Sequence, residues 1–444
     1  MTLFLAHHDS STIATILILA LAPATAGQIN PTTQGIDENG RIPKVEIPME
    51  LEHPERWRYF PEGRLIEGNM FERFLVSSFF APIIFRDADV GTGGGITITD
   101  IDFRNQRRQE FANFVMTYSS EGQQTISANW RRWTNHIELP DGGVVQDERS
   151  FMHNHASYQK ALTKRYFGLG IVTPRGAESS YTRERTALSY HYQFTEPNPA
   201  DELIFDFGIQ FEHNNLSSGM VSNKPDTRTL YAGDFAAGDD HDMLWLNLNI
   251  RYDTRDSLHN PYQGWYLGAS ASTAALQTNG EVGAIFSAFG SKVFTLPPLL
   301  HDGGDDQEAH PPTDGLAFGA FVQASSGELP FYSLPTLGGS QTLRGFITNR
   351  FTDRTAWHAS AEYRMWFIPR GFSLTRRIRI ERVGAAFFFE AGSVAPKTAG
   401  LFDHVECSYG TSLRISLERT ALFRVDFGIS DEDTNVSIAY GLTF

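Results

Sequence analysis

The chain has 444 residues, 41% of them hydrophobic and 13% aromatic, with 39 glycines. Aspartate and glutamate (52) outnumber lysine and arginine (37), and the formal charge of -15 argues against a nucleic-acid partner, which a basic face would serve. A single cysteine, Cys407, excludes an internal disulfide and any cysteine-based zinc cluster, and reads as a small packing residue on a strand.

In chain order, the first element is an export signal. Residues 12 to 26, TIATILILALAPATA, form an apolar run closed by Ala24-Thr25-Ala26, a small-x-small cleavage site. Residues 1–26 are therefore expected to be removed, although no Lys or Arg precedes Arg41. After it, no apolar run reaches the ~18 residues of a membrane-spanning helix. Residues 27–77 are expected to be a periplasmic lead, and within GRLIEGNMFERFLVSSFF (63–80) the spacing of Leu65, Ile66, Met70, Phe71, Phe74 and Leu75 fits a short amphipathic helix, a plug, or a plain lead-in to the first strand.

From residue 78 the pattern is alternation. In RTAWHASAEYRMWFI (354–368) the odd positions Trp357, Ala359, Ala361, Tyr363, Met365 and Phe367 are apolar or aromatic, while His358, Ser360, Glu362 and Arg364 occupy the other face. Period two means strand. Such segments are expected at 78–87, 90–102, 109–119, 123–136, 150–166, 181–195, 203–215, 243–253, 265–276, 283–296, 315–326, 354–368, 382–394, 405–417, 421–430 and 434–444, sixteen in all. The least regular is 78–87, because of Pro82.

A soluble sandwich would also alternate, with its polar face toward water. Here the polar face mixes glycine, serine, alanine and charge, which suits a crowded lumen, and strands of about ten residues fit an outer-membrane barrel. The expected fold is all-β: a closed antiparallel transmembrane β-barrel of sixteen strands over residues 78–444, with an inward-folded long loop. With both termini periplasmic, the 216–241 and 327–354 loops face outward, and the 297–314 stretch is an unusually long periplasmic connection.

The last third resembles the outer-membrane surface-antigen superfamily, the group of the BamA and TamA assembly factors and the two-partner secretion transporters. FYSLPTLGGSQTLRGF is similar to that family's loop between its eleventh and twelfth strands, which ends in Val or Ile before Arg-Gly-aromatic; here Leu343 precedes Arg344, Gly345 and Phe346. The resemblance implies that the loop turns inward and that Arg344 pairs with Glu362, at the family's strand-twelve glutamate, and with Glu390, where aspartate is more usual. Strand parity independently puts both acids on the inner face. RYDTRDSLHNPYQGWYLG resembles the family's Asp-x-Arg-Asp turn, through Asp253, Arg255, Asp256, Pro261 and Gly264, and SIAYGLTF resembles its C-terminal assembly signal, through Tyr440, Gly441, Leu442 and Phe444.

What the resemblance implies about function is insertion or translocation of a polypeptide, or handling of a lipid, at the bacterial outer membrane. The implied partners are outer-membrane lipids, lipopolysaccharide and the cell's barrel assembly machinery. The Pro- and charge-rich lead is expected to hold no POTRA module, the substrate-docking unit of that family, which leaves a passive pore or purely structural barrel as the competing class.

Enzyme and cofactor readings find little support. No GxSxG elbow occurs, and His191, Asp206 and Glu212 are inward by parity but explained by ordinary lumen polarity. His153 and His155 share a strand face without a third ligand, and the acidic runs GDDHD (238–242) and DGGDDQE (302–308) lack calcium-loop spacing, so no metal site is expected and the runs read as solvated loops.

Overall fold

The structure is a computed structural model that describes residues 17–18, 40–44, 46–61, 68–87, 90–235, 240–373, 379–417 and 421–444. Among the described residues sixteen long strands follow one another: β1 Ser78–Asp87, β2 Gly91–Asp100, β3 Glu110–Ser119, β4 Gln124–Trp133, β5 Phe151–Tyr166, β6 Ser179–Glu196, β7 Leu203–Ser218 and β8 Asp240–Asp253. The second half is β9 Gly264–Gln277, β10 Gly283–Leu296, β11 Asp314–Gly327, β12 Thr355–Ile368, β13 Arg379–Ala395, β14 Glu406–Leu417, β15 Ala421–Ile429 and β16 Thr434–Tyr440.

Each pairs antiparallel with the next, so one ladder runs from β1 to β16 in chain order. Two short pieces extend the same sheet, Phe372–Ser373 on β13 and Leu17–Ile18 opposite Ile84 and Ile83 of β1. The rest of the expected signal segment 1–26 lies outside the described residues. Pro82 sits within β1 opposite Ile96, in the terminal strand of the ladder, where a missing N–H is tolerated.

Burial is inverted relative to a soluble sandwich. On β12 the polar side chains His358, Ser360, Glu362 and Arg364 are buried, while Phe367 is 43% exposed. On β7 and β8, Phe207, Ile209, Phe211, Leu246, Leu248 and Ile250 all face outward. A sheet that buries its charges and exposes a continuous apolar belt fits lipid and not water, since large exposed apolar patches are avoided in solution. Cys407, expected to pack, is exposed on β14. Among the described residues no helix is long and apolar enough to cross a membrane.

The N-terminal lead packs at the end of the sheet where the even-numbered strands turn. Trp57–Phe60 pairs with Val144–Asp147, which also pairs with His136–Glu138, giving a separate three-stranded sheet. The expected strand 123–136 therefore stops at Trp133, and residues after it fold into a hairpin. Its turn is set by Asp141, whose Oδ1 accepts the Gly143 N–H at 2.9 Å, and by Gly142 at φ 91°.

Farther along, the Ala309 N–H donates to Ile42 O at 2.7 Å, the Lys44 N–H donates to Gln307 O at 2.8 Å, and Arg41 meets Asp305 at 2.8 Å. The acidic stretch 302–308, expected to be a solvated loop, is thus a docking edge for the lead. Of the expected amphipathic helix, α1 spans Met70–Ser77, capped by Asn69 and Glu72 in a reciprocal box, with Met70 and Phe71 exposed; Leu65 and Ile66 lie outside the described residues.

Two turns at this end meet on Tyr262. Its hydroxyl accepts from Trp366 Nε1 at 2.8 Å and from Arg382, and its ring stacks on His310 at 4.3 Å. The His310 Nε2–H donates to Asn260 O at 2.8 Å. Burial, and after it the Arg382 guanidinium, pushes His310 down to about 4; burial does the same to His259, against the pull of Glu148.

Two outcomes are expected from this architecture. Leu248→Arg, on the apolar face near the middle of β8, should destabilise the folded chain in lipid vesicles by roughly 2–4 kcal/mol, while Leu248→Phe should be nearly neutral. Equal unfolding midpoints in urea would show that this face does not meet lipid. The second concerns pH. Both histidines are held neutral when folded and protonate near 6.5 when unfolded, so the unfolded chain takes up more protons between pH 6.5 and 4. Stability should hold above pH 6.5 and fall as pH drops through that window, and a His259→Gln, His310→Gln double variant should show a shallower fall in melting temperature.

Candidate functional site

The connection 328–354 between β11 and β12 does not project from the sheet but folds against its buried face. A two-residue bridge, Thr336–Leu337 with Phe351–Thr352, closes its neck. Inside it Leu337, Leu343, Phe346 and Phe351 pack with Ile171, Ala356 and Val394 in one apolar cluster. Leu343 adopts φ 45°, a left-handed conformation that costs a residue unbranched at Cβ about 1–2 kcal/mol and a β-branched one more.

Glycines permit the close approach. A Cβ on Gly345 would lie 2.6 Å from the carbonyl carbon of Ile429, and one on Gly428 would lie 2.3 Å from Arg344 O. The loop is also tied to the β15–β16 hairpin, because Asn435 Nδ2 donates to Arg344 O at 3.1 Å and Ser430 Oγ to Gly345 O at 3.0 Å.

These contacts place Arg344 in the interior, 1% exposed. Its Nε donates to Glu390 Oε1 at 3.0 Å, and its backbone N–H donates to Oε2 of the same residue at 2.6 Å. Nη2 lies 2.7 Å from Glu362 Oε1, an ion contact off the hydrogen-bond axis, and Nη1 lies 3.6 Å from Asp426 Oδ1. The guanidinium carbon stands 3.5 Å from the ring centre of Phe388. Burial works against the charge, but Glu362, Glu390 and Asp426 outweigh it and raise the Arg344 pKa.

The carboxylates have further partners. Arg364 Nε donates to Glu362 Oε2 at 2.8 Å, Thr443 Oγ1 to Glu362 Oε1 at 3.1 Å, and Ser408 Oγ to Glu390 Oε2 at 2.9 Å. Arg424 holds Asp426 and reaches Ser340 O in the loop at 2.6 Å. The result is an alternating knot of guanidinium and carboxylate groups, in which each buried charge has an opposite neighbour, as burial requires.

Asp426 and Arg424 were not singled out from the sequence. Their signal was available, since in ALFRVDFGI they alternate with Phe423, Val425 and Phe427 on the inner parity. Arg350, also missed, is a second anchor: it donates to Glu432 Oε2 at 2.7 Å and to Thr173 O at 2.6 Å, tying the loop to two other connections. Nothing local in ITNR marks it.

The C-terminal residues depart from the expected strand. β16 ends at Tyr440, and Gly441 at φ 82° turns the chain, so 441–444 does not continue the alternation. Leu442 packs against Tyr262, Trp366 and Leu422, and the Phe444 ring faces Arg364 at 5.1 Å. It also lies against Gly319, where a Cβ would stand 2.4 Å from the ring.

The turn 254–263 is locked by its own acids. Arg255 grips Asp253 through Nε at 2.9 Å and Nη2 at 2.8 Å, and Asp256 Oδ1 accepts the N–H groups of Tyr262 and Gln263. Pro261 immediately precedes them, and Gly264 at φ 111° passes within Cβ-contact distance of Thr254 and Arg255.

The remaining candidates are scattered. His191 Nδ1 is 3.1 Å from Asp206, but Glu212 is held by Arg183 and Arg185. His155 Nδ1 bonds Asn129 at 2.7 Å, and His153 lies opposite His191 in the ladder. Of GDDHD, Asp242 meets His213 at 2.8 Å, while residues 238–239 lie outside the described residues. Among the described residues the group with metal-ligand proximity is His53, Asp201 and Glu202, where Arg56 already occupies Glu202 at 2.7 Å.

Two solved structures resemble this fold. BamA from Haemophilus ducreyi lacking POTRA domains 1–3 aligns with a TM-score of 0.48 at 14% identity, over 82% of this chain and 70% of that one. CdiB from Acinetobacter baumannii aligns with a TM-score of 0.45 at 11% identity, over 82% of this chain and 59% of that one. No curated protein sequence matches the chain. The Omp85 superfamily domain, however, matches residues 154–444, from β5 through the arginine knot to the C-terminus, and the chain therefore belongs to the Omp85 superfamily of bacterial outer-membrane β-barrel proteins.

Proposed function

We propose that the chain closes between β16 and β1 into a sixteen-stranded outer-membrane barrel that inserts or translocates a polypeptide by parting at that seam. The reading rests on the membership of residues 154–444 in the Omp85 superfamily. The last strand is lightly held on its other side: β15–β16 pairs only from Phe423↔Tyr440 to Ile429↔Thr434, shorter than the other ladders between long strands among the described residues, which leaves β16 free to shift. A strand edge that ends early offers backbone N–H and C=O groups to an incoming strand.

In this proposal the end carrying the lead is periplasmic, and the Arg344 knot braces the loop 328–354 so that the wall holds its shape while the seam moves. Outer-membrane lipid and lipopolysaccharide surround the belt, and the cell's barrel assembly machinery installs the chain. A folded-in loop braced by buried charge narrows the interior, which favours strand exchange at the wall over free solute passage.

Arg344→Glu would put a fourth carboxylate among Glu362, Glu390 and Asp426, and breaking such a buried pair costs roughly 3–5 kcal/mol. The expected result is loss of heat-modifiable folding or rapid proteolysis within 334–350, with partial recovery in the Arg344→Glu, Glu390→Arg double variant. Unchanged folding and loop protection in the single variant would refute the brace.

The transport reading has its own test. In a Cys407→Ser background, a cysteine pair across β1 and β16 should abolish insertion of a barrel polypeptide into liposomes when oxidised and restore it when reduced. If oxidation leaves insertion intact, or if only salt conductance is ever observed, the chain is a pore.

A further inference from the structure

At the lead-bearing end, between the small three-stranded sheet and the inner wall of β3–β9, lies a cavity of about 270 Å³. Its walls carry six arginines, Arg58, Arg108, Arg131, Arg149, Arg251 and Arg255, against two carboxylates, Glu148 and Asp253. In a chain with a formal charge of -15 this is a concentrated reversal of sign.

Both carboxylates are already committed. Glu148 is held by Arg58 at 3.0 Å, and Asp253 by the two-pronged contact from Arg255. Arg149 spends its donors on the carbonyls of Asp201 and Asp253, at 3.2 and 2.7 Å. Arg251 reaches Gln193 and lies 3.9 Å from Asp206, yet its Nε is buried without a hydrogen-bond partner.

Arg131 is the most telling. Among the described residues no carboxylate lies within ion-pair distance and no acceptor within hydrogen-bond distance of its guanidinium, which rests 4.2 Å from the ring centre of Phe151 and 6.0 Å from that of Trp133. The Arg108 guanidinium likewise meets the ring of Phe60, at 5.7 Å, with no carboxylate oxygen within 4 Å of it among the described residues, while the Arg108 backbone N–H donates to Asp102 Oδ1 at 2.8 Å. Aromatic faces hold these cations in place without neutralising them. An arginine fork fixed in a sheltered cavity presents donors arranged for a planar or tetrahedral oxyanion.

From this geometry we propose that the cavity is a binding site for a phosphate-bearing anion of headgroup size. A single carboxylate would answer only part of the surplus positive charge, whereas a phosphate ester brings several acceptor oxygens and up to two charges for Arg108, Arg131 and Arg251 to share. The apolar walls, Phe60, Trp133, Phe151 and Tyr266, accommodate a short organic body beside it. The volume admits an ester headgroup and excludes a folded polypeptide segment. The ester comes either from a free solute or from a phospholipid, and the site recognises the same chemistry in both.

The test uses the full chain in nonionic detergent, titrated with inorganic phosphate and with glycerol 3-phosphate, following calorimetric heat and the total tryptophan fluorescence, to which Trp133 in the cavity wall contributes. Saturable binding is expected for both, weaker by at least about tenfold in Arg131→Gln and in Arg108→Gln, and unchanged in Arg175→Gln at the opposite end. Two arginine variants are used so that a folding defect in one does not decide the outcome. Weaker binding of added glycerol 3-phosphate in phosphatidylglycerol nanodiscs than in the phosphate-free detergent assigns the lipid headgroup as the source, and equal binding assigns a free ester. Absence of saturable binding up to about 10 mM, or full binding by both arginine variants, overturns the proposal.

Discussion

The Arg344 knot exposes the constraint that governs the whole wall. A sheet whose outer face must be apolar for lipid can place its charges only inside, and charges inside a restricted space must be paired there. Glu362, Glu390 and Asp426 are each buried to within a few per cent, and each would be costly alone. Arg344 comes from a loop and not from the wall, so the pairing simultaneously satisfies three strands and pulls the loop inward. The alternation of β12 to β15, the positive-φ glycines of the loop and the close approach at Gly428 are consequences of the same requirement.

The two ends of the wall solve different problems. At the end reached by the loop 328–354, Arg350 and Glu432 join separate connections, so the anchor is electrostatic and long in range along the chain. At the other end an acidic edge at 305–308, the Tyr262 hub and the small three-stranded sheet gather the lead against the wall. Surplus arginine at that end collects around one cavity, whereas the arginines of the knot are matched by acids. Packing and charge thus divide the interior into a braced region and a receptive one.

Much of this was legible in the sequence because period two and burial are linked. The strands stood out, and parity alone put Glu362 and Glu390 on the face where Arg344 is found. The inner charges of FRVDF obey the same parity, but nothing in a lone alternating segment says which distant loop it will face, so Asp426 went unnoticed. The small sheet was not legible: Trp57–Phe60 and Val144–Asp147 are four residues each and separated by the four strands β1–β4, so their pairing depends on tertiary proximity. The final residues misled for a local reason. SIAYGLTF alternates throughout, yet Gly441 tolerates the positive φ that ends the strand, and the interior offers Leu442 and Phe444 better burial than the ladder does.

The central claim is that the loop 328–354 is held inside by buried charge. Hydrogen–deuterium exchange of the chain in lipid vesicles measures this directly, through the amides of residues 338–350. The account predicts protection comparable to that of β12 and β13; exchange of 338–350 at the rate of an unstructured peptide would contradict it.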